Sequence, residues 1–227
     1  MMTNTHTETA PSPLQVALRS PEASARLQAA LTAGTHPAPE HVLALVAQCR
    51  TEPEFYVREM LTWALTRHDH DTVLDLLLVE LTCDAAKARS QALHTLSKLG
   101  DTRAWPAITV ALLTDDDDEV ARAAWRTAAG LASEGQKGPL ARTLATQFGR
   151  GEHELQRSLS RAFTTLGASA LPAADAASTS ADRDVRTHAL ATAYLLNDLH
   201  DSFESAMAQA RTFVARQAAP TLRNDPC

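Results

Sequence analysis

Six arginines recur along the chain at an almost constant interval, and that interval limits the fold more than any other feature. Each stands early in an alanine- or leucine-rich segment: Arg26, Arg58, Arg89, Arg122, Arg157 and Arg186. Successive separations are 32, 31, 33, 35 and 29 residues. A fixed period in this range marks a stack of repeated supersecondary units. The residue three places on is Ala29, Leu61, Ala92, Trp125, Ser160 or Ala189, and seven places on Ala33, Leu65, Leu96, Ala129, Thr164 or Ala193. Outside the fifth unit this spacing predicts one apolar stripe along each helix. Only 4% of residues are aromatic and Ala and Leu dominate, which is helix-forming usage.

Prolines give a second periodicity. Pro106, Pro139 and Pro172 are each 33 apart, while Pro13 opens PLQVAL and Pro39 opens PEHVLALVAQC. Proline suits the first turn of a helix, where its missing N–H loses no partner. Each unit is therefore expected to hold two helices, the first opening near a proline and the second carrying the arginine. The third unit lacks the proline, and Asp71-Thr72 is expected to start its first helix.

A carboxylate precedes every arginine by four or five residues: Glu22, Glu54, Asp84, Asp118, Glu152 and Asp182. Acids are favoured at a helix N-terminus. The run Asp115–Asp118 thus reads as an enlarged copy of a signal present six times. Asp118 is expected to cap the helix starting near Glu119 and to reach Arg122, Arg89 or Arg157. A calcium loop would need alternating ligands, a turn glycine and a distal acid, none of which is present.

This pattern resembles HEAT-like repeats of the short bacterial kind also found in phycobilin lyase families. It stands here as WPAITVALLTDDDDEVARAAW and ARSQALHTLSKLGD. The family's Val-Arg pair is intact at Arg58 and Arg186, and its Leu-Gly end at Leu99-Gly100 and Leu166-Gly167. The resemblance implies an all-α, right-handed α-solenoid of about six HEAT-like helix pairs over residues 12–216. The arginine-bearing helices would line its concave side. A helix from about His200 to Arg216 would cap the last pair. Residues 1–11 and 217–227 are expected to be disordered tails.

Charge narrows the function. There are 27 acidic residues against 21 Lys plus Arg, a net charge of −6. No apolar leader opens the chain and no segment is long and apolar enough to span a bilayer. Three cysteines, Cys49, Cys83 and Cys227, match no zinc or disulfide spacing. A reducing, cytoplasmic setting is expected, without membrane association, cofactor or metal. RHDHD, at Arg67–Asp71, reads as a polar turn with Asp71 capping the next helix rather than as a metal site. Deoxyhypusine hydroxylases, HEAT-like metalloenzymes, use several His-Glu pairs; this chain has one, His153-Glu154, too few for a di-iron site.

The candidate binding residues follow from helix geometry. Positions one, five and nine after the arginine share a face. They give Glu59, Trp63 and Arg67 in the second unit and Ser90, His94 and Lys98 in the third. Arg126 and Arg161 share an offset in the fourth and fifth units. A Trp and a His flanked by charge suit a protein or peptide hot spot, against the plainer reading of Trp63 as core. The expected function is a non-enzymatic scaffold binding an unidentified protein or peptide on its concave face. The alternative is a DNA-binding or alkylated-base repair protein on the same scaffold, as in HEAT-like alkylpurine DNA glycosylases. From Lys87 to Arg161 there are 11 basic and 9 acidic residues, a surplus of only 2. Arg89, Arg122 and Arg157 are expected to be tied to turn acids, so nucleic-acid binding ranks second. Oligomeric state is not legible.

Overall fold

The computed structural model describes residues 11–198 and 201–218. The expected tails fall mostly outside these residues. Two compact units divide the chain after Leu99, each a two-layered stack of helix pairs.

The first unit holds α1 (Pro13–Leu18), α2 (Ala23–Thr35), α3 (Pro39–Cys49), α4 (Phe55–Leu65), α5 (His70–Glu80) and α6 (Ala86–Leu99). Pro13 and Pro39 open their helices as expected. α1, α3 and α5 form one layer, while α2, α4 and α6, carrying Arg26, Arg58 and Arg89, form the other.

The second unit begins with a 3-10 turn at Thr102–Ala107. There follow α7 (Val110–Leu113), α8 (Asp118–Leu131), α9 (Glu134–Ala145), α10 (His153–Leu166), α11 (Leu171–Ala177), α12 (Arg183–Asn197) and α13 (Phe203–Ala218). α8, α10 and α12 carry the remaining arginines. The fold is all-helical, with six helix pairs among the described residues. α13 covers α12 with Phe203, Ala206, Met207 and Ala210, as the terminal cap should. It runs two residues past Arg216.

The residue three beyond each arginine is buried in all six pairs, Ser160 included. Trp125 is 1% exposed and donates its indole N–H to the Leu113 carbonyl at 2.7 Å. That bond fastens the four-residue α7 to α8. Two proline expectations fail. Pro106 lies inside the 3-10 turn, because Thr109 rather than the proline caps α7. Pro139 is the sixth residue of α9, which starts earlier because Ser133 and Gln136 form a capping box there.

The arginines are held differently from expectation. Arg26, Arg58 and Arg89 each turn one Nη1 back onto two turn carbonyls, six and five residues earlier: Ser20 and Pro21, Glu52 and Pro53, Cys83 and Asp84. Arg186 reaches the Ser180 carbonyl likewise, at 2.7 Å. These carbonyls lack helical partners, and a guanidinium supplies several donors in one plane. Arg122 and Arg157 pair with acids of their own helices, Glu119 and Glu154, and Arg26 also pairs with Glu52 in the turn of the next helix pair.

The acidic run divides its work. Asp115 Oδ1 accepts from the Asp117 N–H. Asp117, not Asp118, caps α8, accepting from Glu119 and Val120 N–H at 2.9 and 3.1 Å. Asp118 is already helical, and its partner is Arg150 at 2.8 Å, not one of the periodic arginines. Arg150 also donates to the Asp115 and Asp116 carbonyls, so the turn before α10 is clamped to the start of α8. Likewise Asp69, not Asp71, caps α5, accepting from the Thr72 N–H at 2.9 Å. Asp117→Ala should cost about 1 kcal/mol in urea unfolding. Asp118→Ala should cost less, because exposed ion pairs contribute little.

Candidate functional site

Ten aromatic residues are present, and four of their side chains are exposed: Phe55, Tyr56, Trp63 and Phe213. Three of the four lie on α4. Tyr56 and Trp63 are seven residues apart, two helical turns, and so share one face. Tyr56 is 74% exposed and Trp63 38%. Phe55 meets Tyr56 edge-on at 5.5 Å between ring centres, and the Arg58 guanidinium lies 5.9 Å from the Phe55 ring. The adjacent aromatic pair was the available sequence signal for Phe55 and Tyr56. The periodic face omits it because both residues precede the arginine.

The expected residues Glu59, Trp63 and Arg67 do share this side of α4 and its exit turn. The backbone behind them is fixed by Val57, Leu61, Ala64 and Leu65, all about 1% exposed or less. His94 on α6 approaches across the layer, its Nε2 2.8 Å from Glu59 Oε1. Lys98, one turn further along α6, is exposed, as is Arg67. Beneath this face, Gln91 donates to the Thr62 hydroxyl at 2.8 Å. Thr62 meets Thr95 at 3.2 Å, and Thr95 donates to the Gln91 carbonyl at 3.0 Å. A closed hydroxyl–amide network of this kind fixes the register of α4 against α6.

Trp63 is neither wholly core nor free. Its ring lies over Gly34 of α2. A methyl group at Gly34 would stand 2.4 Å from Trp63 Cζ3 and 2.8 Å from the Ala64 Cα. The second contact is backbone, so rotating the indole cannot relieve it. Gly34→Ala should therefore force α2 and α4 apart and cost about 1–3 kcal/mol, read as a lower urea midpoint.

Arg126 and Arg161 are exposed on α8 and α10 of the second unit. Arg161 lines a cavity of 310 Å³ between α10, Leu195 of α12 and the start of α13, together with Arg157, Thr164, Phe203 and Glu204. At its base the Ser160 hydroxyl lies 3.1 Å from His188 Nε2 and 2.7 Å from the Thr192 hydroxyl. His188 Nδ1 accepts the Gly149 N–H at 3.1 Å, which leaves the imidazole proton on Nε2, facing the Gln156 carbonyl at 3.0 Å. Such a histidine cannot take a proton from Ser160. Burial pushes the Cys49 thiol up to about 12, with the Glu80 and Glu52 carboxylates adding to the effect, so it is a poor nucleophile.

The repeat geometry has a counterpart in sequence: residues 42–132 match the family of HEAT repeats. Residues 42–132 are HEAT-like repeats. No curated protein matches it in sequence. Among solved structures it is similar to the complex of CpcE and CpcF of phycocyanin lyase from Nostoc sp. PCC7120. Identity there is 17% over 95% of this chain and 99% of that one, with a TM-score of 0.39. It is also similar to human deoxyhypusine hydroxylase in complex with glycerol, at 14% identity over 89% of this chain and 95% of that one, TM-score 0.43. Both are named as enzymes, against the expectation of a non-enzymatic chain. Among the described residues no three His, Cys, Asp or Glu side chains are grouped to hold a metal. No described helix is long and apolar enough to cross a membrane.

Proposed function

We propose that this HEAT-like protein binds a partner protein through the exposed face of α4 and α6. The observation that carries the reading is the aromatic cluster Phe55, Tyr56 and Trp63, held on a rigid helix beside Arg67 and Lys98. Large aromatics and arginine dominate the energetics of protein interfaces because they bury much area at little entropy cost. Glu59 is already engaged by His94, so the face offers apolar surface rimmed by cations. The matching partner segment presents apolar side chains flanked by carboxylates. The nucleic-acid reading has less support, since Arg89, Arg122 and Arg157 are spent on turn carbonyls and carboxylates.

The test is affinity capture from native extract with the wild type and a Tyr56→Ala/Trp63→Ala variant. Loss of a specific protein by the variant, with helical circular dichroism unchanged, supports the reading. Capture of the same proteins in the same yield by both would overturn it.

A further inference from the structure

His68 sits in the turn between α4 and α5 and is 8% exposed. Its Nδ1 lies 2.8 Å from the Ala64 carbonyl. A carbonyl only accepts, so Nδ1 carries the proton and Nε2 keeps a lone pair. That Nε2 is buried and finds no hydrogen-bond partner among the described residues, and the same holds for Nδ1 of His41 on α3. The two rings meet edge-on with centres 5.9 Å apart. Two buried imidazole nitrogens left bare on neighbouring rings call for a shared third species.

We propose that His41 and His68 bind one imidazole-seeking transition-metal ion such as zinc. Two imidazoles on a tetrahedral zinc ion at about 2.0–2.1 Å per bond hold their ring centres about 5 Å apart. These rings, with centres 5.9 Å apart, close on one ion by a side-chain adjustment of under about 1 Å. The outer hydrogen bond fits as well. A ligating histidine characteristically gives its other N–H to a carbonyl or carboxylate, which fixes the tautomer and aims the ring, as Ala64 does here. Neutral imidazoles suit zinc, copper, nickel and iron, and not calcium or magnesium. With no third His, Cys, Asp or Glu grouped with them among the described residues, solvent fills the remaining positions. Binding is accordingly of moderate strength. The sequence showed His68 only as part of a polar turn; His41, 27 residues earlier, is its partner through the packing of α3 beside that turn.

The experiment titrates zinc into the full chain, by calorimetry and by NMR of the imidazole nitrogens. The expected result is one ion per chain, with the His68 Nε2 and His41 Nδ1 resonances moving together. His41→Asn and His68→Asn should each weaken binding roughly tenfold or more, while His36→Asn, at an exposed position, leaves it unchanged. If His68→Asn loses its helical signal, the half-buried His41→Asn and the wild-type resonances decide. No zinc binding, equal binding by His41→Asn, or ring resonances that do not move would each overturn the proposal.

Discussion

Glu52→Ala should lower the stability of the folded chain by about 3 kcal/mol, the largest loss expected from any single carboxylate here. Glu52 is 0% exposed, in the turn between α3 and α4. Its two oxygens accept Nε and Nη2 of Arg26 at 2.8 and 2.7 Å, Gln48 Nε2 at 2.9 Å and the Glu54 N–H at 3.0 Å. Burial alone would raise its pKa. The hydrogen bonds from Arg26, Gln48 and Glu54 outweigh it and hold the carboxyl below its ordinary 4.5. Truncating Glu52 strands the Arg26 guanidinium inside the stack, and that uncompensated charge is where most of the cost lies. The sign follows from the lowered pKa. The contribution is complete above about pH 4.5 and is lost as pH falls through the folded-state value. Urea unfolding at pH 7 checks it, with the exposed Glu54→Ala as the comparison. Equal midpoints for the two variants would remove Glu52 from this role.

His188 should make the second unit labile in mild acid. The ring is 0% exposed and burial pushes its pKa down from 6.5 to about 4, the bond to the Gln156 carbonyl opposing this only in part. The unfolded chain takes up a proton near pH 6.5, while the folded ring refuses it until about pH 4. Stability is therefore flat above pH 6.5, declines between 6.5 and 4, and is lower by about 3 kcal/mol below that window. The neutral ring ties Gly149, Gln156 and Ser160 together, so protonation breaks the Gly149 bond and charges a sealed space. Urea unfolding of the wild type and His188→Gln from pH 7 to pH 4 gives the test. The wild-type curve should fall more steeply across the window; parallel curves would show that His188 does not set the acid limit.

The repeat was legible because its marks are local: one arginine, one small or apolar residue three places on, one acid in the turn. Each acts within about eight residues, so spacing alone exposes it. What those side chains bind was less legible. The arginines were expected to meet turn acids, and Arg26 does meet Glu52, yet Arg26, Arg58, Arg89 and Arg186 also bind the carbonyls that end the preceding turn, and a backbone acceptor leaves no trace in composition. Asp117 and Asp118 differ by one position in an unbroken acidic run, and which of them caps depends on where α8 starts. Glu52 stood beside Glu54 with nothing in the sequence to say that one is buried and the other exposed. On the candidate face, Trp63, Glu59 and His94 emerged from helical offsets, whereas Phe55 and Tyr56 lie ahead of the arginine that set the count. Arg126 and Arg161 shared an offset with each other but belong to the second unit.

The claim that α4 is the contact surface is tested most directly by a photo-crosslinking residue at position 56, compared with one at position 16. Both sites are exposed in the first unit, Tyr56 on α4 and Val16 on α1 at 58%. The account predicts one dominant crosslinked protein from position 56 in native extract, lost when Trp63→Ala is added, and none from position 16. Crosslinks of equal yield to the same protein from both positions, or undiminished by Trp63→Ala, would contradict it.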